Sequence, residues 1–119
     1  MARLALLLLL TNVAIAADNY TGWVSDKACA SGRASDGIYT GTNPDCAKRC
    51  IGEGKAMVLV DAKAKALYGV ANPEMLKPQI GNYVKVQGAL DKQTNTLTVE
   101  KVTLLQVGAA KCERKRLKQ

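Results

Sequence analysis

Residues 83–104 read YVKVQGALDKQTNTLTVEKVTL, and this stretch decides the fold. Its first part alternates with a period of two residues, which is the period of a β-strand with one buried face. The side chains predicted to share that buried face are Val84, Val86, Gly88 and Leu90. Residues 91–95 follow as a hairpin loop, and residues 96–104 return as the partner strand.

The returning strand changes phase by one residue. Leu97 and Val99 alternate with polar residues, but Glu100 and Lys101 stand together before the next apolar residue, Val102. A slip of one residue is typical of a β-bulge or a strong bend, and both occur where a small sheet closes into a barrel. The hairpin therefore favours a curved sheet.

Three further strands are predicted towards the N-terminus. Residues 66–70 form the second arm of a hairpin whose first arm is residues 56–60. The first arm is apolar without alternation, which predicts a strand covered on both faces. Residues 20–25 are rich in aromatic and β-branched side chains and predict the first strand.

Two Asn-Pro-acid sequences predict helix starts. Asn43-Pro44-Asp45 combines a capping side chain, a proline in the first turn and an acid at the positive end of the helix dipole, so a helix is predicted from Pro44 to about Glu53. Asn72-Pro73-Glu74 opens a brief helix that Pro78 closes. The polar, glycine-containing residues 26–42 are predicted to be loop.

This order of elements predicts a mainly β fold of the small α+β kind. Five strands, with a cysteine-bearing helix in the first long loop and a short helix between the third and fourth strands, follow the order of an OB-like barrel. An open β-meander packed by the cysteine helix is the alternative. The domain is expected to cover residues 18–110, and its length suits a single core of modest size.

Residues 1–17 predict a secretory signal peptide. Arg3 precedes the apolar run of residues 4–10, and small residues 14–17 place a cleavage site near Ala16 and Ala17. The apolar run is shorter than the roughly 20 residues that a membrane span needs. The expected location is therefore periplasmic or secreted.

Residues 111–119 are expected to form a basic tail. They carry five cations against Glu113, whereas residues 18–110 hold eleven Lys or Arg and nine Asp or Glu. A basic tail on a nearly neutral domain suits weak contact with anionic surfaces at most.

Three motifs together resemble a group of small exported bacterial proteins of uncharacterised function. They are Gly22-Trp23-Val24-Ser25-Asp26-Lys27-Ala28-Cys29, the pair Cys46 and Cys50 before Gly52, and Ile80-Gly81-Asn82-Tyr83-Val84-Lys85-Val86-Gln87-Gly88. Members of that group begin with G-x-V-S-D-x-x-C and end in a G-x-x-V-x-V-x-G hairpin of OB-like character. They often carry a histidine soon after the first cysteine. This chain has none, which counts against carrying a metal site over from the resemblance.

The even number of cysteines and the expected oxidising compartment favour two disulfide bonds. In this interpretation Cys46 and Cys50, on one face of the predicted helix, each bridge to a distant partner, Cys29 or Cys112. The residues leave the connectivity open. The alternatives are a Cu(I) site on Cys46 and Cys50, thiol redox chemistry at the same pair, and zinc bound by all four cysteines.

The sequence favours a binding or structural module over an enzyme. The chain has no histidine, and its acids are expected to lie in turns or near helix caps. No catalytic residue or cofactor is therefore predicted, and the chain is expected to be a monomer. No nucleic-acid partner is predicted, because the chain offers one Trp, four Tyr and no Phe for stacking on bases and because export removes most such partners. Its ligand would be an envelope component, a small molecule or a protein. By analogy with OB folds it would lie between residues 26–43 and 91–95, where Tyr39 and Lys92 are the candidate contacts.

Overall fold

A computed structural model describes residues 17–41 and 43–108 of the chain. Within these ranges the chain forms five strands, two α-helices and two short 3-10 turns. The elements in chain order are β1 (Asp18–Asp26), α1 (Lys27–Ser35), α2 (Pro44–Gly52), β2 (Met57–Asp61), β3 (Ala66–Val70), the 3-10 turns Pro73–Met75 and Lys77–Gln79, β4 (Tyr83–Asp91) and β5 (Thr96–Gln106).

The sheet closes in a ring of strand order β1-β2-β3-β5-β4. β1 pairs antiparallel with β2 on one side and with β4 on the other. Both hairpins, β2 with β3 and β4 with β5, are antiparallel, and the remaining contact is a parallel pairing of β3 with β5 through Val70 and Leu97. The predicted mainly β class is confirmed, whereas the open meander is not the arrangement observed.

The predicted phase slip of the last strand is a bulge at Glu100. Gln87 pairs with Lys101 and Gly88 pairs with Val99, so that Glu100 has no residue opposite it. Because of the bulge, the Val102 side chain points to the interior of the ring, as the Val99 side chain does, although the two residues are an odd number of positions apart. A second irregularity separates the pairs Tyr83–Gln106 and Val84–Leu104.

The core lies inside the ring and is continued outside it by a smaller cluster. The interior cluster includes Leu59, Val84, Val86 and Leu97, all 0% exposed. The outer cluster consists of Ala30, Val58 and Val60, with Trp23, Tyr39 and Leu67 packed against it. β2 is therefore buried along its whole length, which confirms the prediction of a strand covered on both faces.

The prediction of loop throughout residues 26–42 is wrong, because residues 27–35 form α1. Asp26 caps this helix, since its Oδ2 accepts a hydrogen bond of 2.9 Å from the backbone N–H of Cys29. Gly32 and the two serines of α1 are weak helix formers and led to the loop prediction, although Lys27, Arg33 and the three alanines of this segment favour helix. The cap and the packing of Ala30 on β2 stabilise the helix instead.

The helix α2 lies where the sequence predicts it. The Asn43 side chain accepts a hydrogen bond of 2.9 Å from the backbone N–H of Asp45, and Pro44 occupies the first turn. Ala47 faces the interior cluster and is 0% exposed. Cys46 and Cys50 are both half-buried.

The short helix predicted from Pro73 is two 3-10 turns, and Pro78 lies inside the second turn rather than closing the first. A 3-10 helix has three residues per turn, so it fits the short segment that connects β3 to β4. Leu76, between the two turns, is 0% exposed and packs into the interior cluster.

Three sequence predictions fall wholly or mainly outside the described residues. They concern the signal peptide of residues 1–17, the partner cysteine Cys112 and the basic tail of residues 111–119.

Candidate functional site

A groove of about 330 Å³ lies on the outer face of β2 and β3. The helix α1 forms one wall and the turn between β4 and β5 forms the other. Its lining residues are Lys27, Ser31, Ala56, Met57, Val58, Leu67, Gly69, Thr94, Asn95 and Thr96. A volume of this size suits a small molecule.

The groove exists because Gly69 has no side chain. Val60 pairs with Leu67 across β2 and β3, and both pack in the outer cluster with Ala30 of α1. Val58 pairs with Gly69 at the next outward-facing position, where the glycine leaves the sheet surface open. A Cβ at Gly69 would meet only Thr96 Oγ1 at 3.5 Å and Asn95 O at 3.8 Å, which are ordinary contacts.

Hydrogen bonds to β3 fix the wall formed by the β4–β5 turn. Asn95 adopts a positive φ of 55°, which asparagine tolerates better than most residues. Its Nδ2 donates to the Leu67 carbonyl at 2.7 Å, and its own carbonyl accepts from the Gly69 N–H at 3.0 Å. The wall is therefore held in place without a ligand.

The opposite wall presents polar groups from one face of α1. Lys27 and Ser31 are four residues apart, so their side chains lie on the same side of the helix. The Lys27 side chain is exposed, and its backbone N–H donates to the Ala56 carbonyl at 2.7 Å. The groove thus has an apolar floor and a rim of hydroxyl, amide and ammonium groups.

The two predicted contact residues lie near this groove but are not among its lining residues. Tyr39 is half-buried and packs against the outer cluster. Lys92 is exposed in the β4–β5 turn, two residues before Thr94. The loops predicted to border a ligand do border the groove, because α1 lies within residues 26–43 and the turn lies within residues 91–95.

A second cluster of functional groups lies where β1, α1 and α2 meet. A carboxylate oxygen of Asp26 and the Sγ atoms of Cys29 and Cys50 all lie within 4.8 Å of one another. Asp26 ends β1, Cys29 is in the first turn of α1 and Cys50 is in the last turn of α2. The fold therefore brings together three groups that the sequence places 24 residues apart at most.

The electrostatics of this cluster favour a protonated thiol at Cys29. Its pKa is raised from 9.0, first by the partial burial of the thiol of this otherwise exposed residue and then by the negative charge and hydrogen bonding of Asp26, with a smaller contribution from Cys50. Asp26 itself is 0% exposed. Its Oδ2 is occupied by the helix cap, whereas Oδ1 has no hydrogen-bond partner among the described residues.

Cys46 borders a different surface of the same junction. An open groove of about 390 Å³ runs between α1 and α2 and is lined by Cys46, Cys29, Asn43 and residues of α1 that include Arg33. The guanidinium of Arg49 donates to Cys46 Sγ at 3.9 Å. Cys29, Cys46 and Cys50 are all free thiols in the structure, and no two of these three are within disulfide bonding distance.

The sequence carries a local signal for each of the two sites. A glycine inside the strand ALYGV leaves a gap in the side chains that cover the sheet, and Gly69 is that residue. Asp26 directly before the alanines of α1 is a capping residue, and this signal places Cys29 three residues into a helix. The proximity of Cys29 to Cys50 depends on the tertiary fold and has no local signal.

No helix in the described ranges has the length and apolar character needed to cross a membrane. No protein-family model, curated protein or solved structure matches this chain.

Proposed function

We propose that this chain is an exported, non-enzymatic OB-like module that binds a small polar ligand of the cell envelope in the groove over β2 and β3. The proposal rests on one observation. The outer surface of the sheet is uncovered where Val58 pairs with Gly69, and this gap lies between two walls that hydrogen bonds hold in place. The groove combines an apolar floor with a few polar side chains at its rim, which is the composition typical of a ligand site.

The strand order supports the OB-like assignment. Five-stranded OB folds bind ligands on the face of strands 2 and 3, between the loop that follows strand 1 and the loop that joins strands 4 and 5. Here the ring has the order β1-β2-β3-β5-β4, and the groove lies over β2 and β3 between α1 and the β4–β5 turn. The location of the ligand is thus proposed by analogy between folds.

The lining of the groove indicates the chemistry of the ligand. Lys27 provides a positive charge, and Ser31, Thr94 and Thr96 provide hydroxyl groups. None of the described lining residues is aromatic, whereas single-stranded nucleic acids bind by stacking on aromatic side chains. A hydroxylated or acidic small molecule fits this lining better than a nucleic acid does.

Export is supported by the N-terminal sequence. Arg3, the apolar residues 4–10 and the small residues before Asp18 have the order of a cleavable signal peptide. An envelope component is therefore the class of ligand that the domain would meet.

The alternative function, a Cu(I) or thiol-redox carrier on Cys46 and Cys50, has weaker support. Cys50 forms a cluster with Cys29 and Asp26. Cys46 is not part of that cluster; it lines the groove between α1 and α2, which Cys29 also lines. Among the described residues, the two thiols that share a cluster are therefore not those of the C-x3-C pair.

A pair of glycine-to-leucine variants tests the proposal. Gly69→Leu places a side chain in the groove, and Gly52→Leu is the matched control because a Cβ at Gly52 meets no described atom within 4 Å. Each immobilised protein is incubated with envelope extract, and retained small molecules are identified by mass spectrometry. We expect the same species on wild type and Gly52→Leu and at least tenfold less on Gly69→Leu.

Two results would contradict the proposal. One is that wild type retains no species above an unrelated control protein. The other is that Gly69→Leu, folded by circular dichroism, retains as much as wild type.

A further inference from the structure

We propose that Asp26, Cys29 and Cys50 form a binding site for a thiophilic divalent cation of the Zn²⁺ class, at the junction of β1, α1 and α2. This site is separate from the ligand groove over β2 and β3. It also differs from the C-x3-C pair, because Cys46 is not one of its ligands.

The spacing of the three groups suits a metal ion. Zinc ligands lie about 2.0–2.3 Å from the metal, so two ligands of a tetrahedral site are about 3.5–4 Å apart. The two sulfurs and the carboxylate oxygen are already within 4.8 Å of one another. Small side-chain rotations close the remaining gap, since Cys29 and Cys50 each turn about a single bond to move their sulfur.

The carboxylate of Asp26 is the observation that favours a cation over a disulfide. It is fully buried, and its Oδ1 atom has no hydrogen-bond partner in the part of the chain that the structure describes. A buried charged oxygen without a partner is costly, and a bound cation removes that cost. A Cys29–Cys50 disulfide would bring neither a hydrogen-bond donor nor a positive charge to Oδ1 and would leave this oxygen without a partner.

The donor set determines the class of metal. Two thiolates and one carboxylate are ligands that Zn²⁺ accepts together, whereas Cu(I) prefers sulfur alone. Cys29 is exposed and Cys50 is half-buried, so solvent reaches the cluster and a water molecule can provide the fourth ligand. A three-residue set with an open position is typical of an exchangeable or reactive zinc site rather than a closed structural one.

Thiol protection in the wild-type protein tests the site without any substitution. The full chain, purified under reducing conditions and freed of metal, is treated with N-ethylmaleimide with and without Zn²⁺, and each cysteine is followed by peptide mass spectrometry. We expect one Zn²⁺ per chain and at least tenfold slower modification of Cys29 and Cys50. Cys46 and Cys112 should react at nearly unchanged rates.

Variants then assign the ligands. Zn²⁺ affinity is measured by competition with a chromogenic chelator for Cys29→Ser, Cys50→Ser and Asp26→Asn, with Cys46→Ser as the matched control on α2. Asparagine keeps an oxygen for the α1 cap, so Asp26→Asn preserves the helix start while removing the charge. We expect affinity to fall more than about tenfold in the first three variants and to stay within twofold in the control.

Three results would overturn the proposal. The first is equal weakening by Cys46→Ser and Cys50→Ser, which would assign the metal to the C-x3-C pair. The second is unchanged affinity in Asp26→Asn. The third is recovery of a Cys29–Cys50 cystine peptide as the main form of the chain isolated from cells after acid trapping of thiols.

Discussion

Replacing Asn72 with alanine should destabilise the fold more than its position in a surface connection suggests. The Asn72 side chain continues the parallel pairing of β3 with β5 two residues beyond the pair of Val70 and Leu97. Its Nδ2 donates to the Val99 carbonyl at 2.8 Å, and its Oδ1 accepts from the Val99 N–H at 2.9 Å. Val99 is 3% exposed and stands directly before the bulge at Glu100.

The size of the effect follows from the two backbone groups that lose their partner. Each unsatisfied buried donor or acceptor costs about 1–3 kcal/mol. Water reaches part of this site, because both bonds are only partly buried, so we expect a total loss of about 2–4 kcal/mol for Asn72→Ala. For a domain of this size that loss corresponds to a fall in Tm of about 10 °C or more.

Urea unfolding at 25 °C, followed by tryptophan fluorescence, measures the loss directly. Asn19→Ala is the matched control, because Asn19 is an exposed asparagine of β1, and its change should stay within about 0.5 kcal/mol. Asn72→Asp keeps the acceptor for the Val99 N–H but turns an oxygen towards the Val99 carbonyl, so it should also destabilise. A loss below about 1 kcal/mol for Asn72→Ala would refute the reasoning, since it is smaller than the cost of one unsatisfied group.

The other predictions concern the alkaline stability of the core and the close approach of β4 and β5. The pKa of Tyr68 is raised from 10.0, first by burial and then by Asp61, so the folded chain keeps this proton to higher pH than the unfolded chain. The Tyr68 hydroxyl should therefore cause no change of the free energy of unfolding with pH below about pH 10, and that free energy should fall as the pH rises towards the raised pKa. Tyr68→Phe should make this fall less steep, as measured by urea unfolding at several pH values. An equal slope in the wild type and in Tyr68→Phe would contradict the prediction. Gly88→Ala should lose roughly 1–3 kcal/mol, because the added Cβ would collide with the Thr98 carbonyl oxygen of β5. Gly52→Ala, at the end of α2, is the control, and its free energy of unfolding in urea should equal that of the wild type or be slightly higher. An equal loss of stability in Gly88→Ala and Gly52→Ala would show that the collision with β5 does not cause the loss.

The two hairpins and α2 could be predicted from the sequence because their signals are local. The alternation of residues 83–90 depends only on which side chains face the interior, and Val84 and Val86 are both 0% exposed. The two adjacent polar residues Glu100 and Lys101 predicted the bulge for the same reason, because they interrupt the alternation of inward and outward side chains. Asn43 and Pro44 fix the start of α2 through backbone groups next to them.

The helix α1 was missed because only its cap has a local signal and the rest of its stabilisation is tertiary. Its residues KACASGRAS mix strong helix formers with one glycine and two serines, and Ala30 is the residue of α1 that is buried. The packing of Ala30 on Val58 and Val60 decides the conformation, and that contact crosses nearly 30 residues of sequence. Sequence pattern alone gives such a segment the appearance of a loop.

The groove lies between the two segments at which the analogy with OB folds places a ligand, and whether a ligand binds there stays a prediction. The groove depends on the missing side chain of Gly69, and neither Tyr39 nor Lys92 lines it. The cysteines were expected to form disulfide bonds, whereas Cys29, Cys46 and Cys50 are free thiols in the structure. The role of Asp26 beside them required its burial, which no sequence pattern revealed.

Mapping the bound ligand on the protein tests the central claim most directly. Amide chemical shifts of the ¹⁵N-labelled chain are recorded with and without the envelope fraction that wild type retains. Ligand in the groove over β2 and β3 should shift residues of both walls and the floor, chiefly Lys27, Ser31, Val58, Gly69, Thr94 and Thr96, and the same fraction should leave Gly69→Leu unchanged. Shifts confined to the outer face of β4 and β5 around Lys85 and Lys101, or no shifts at all, would contradict the account.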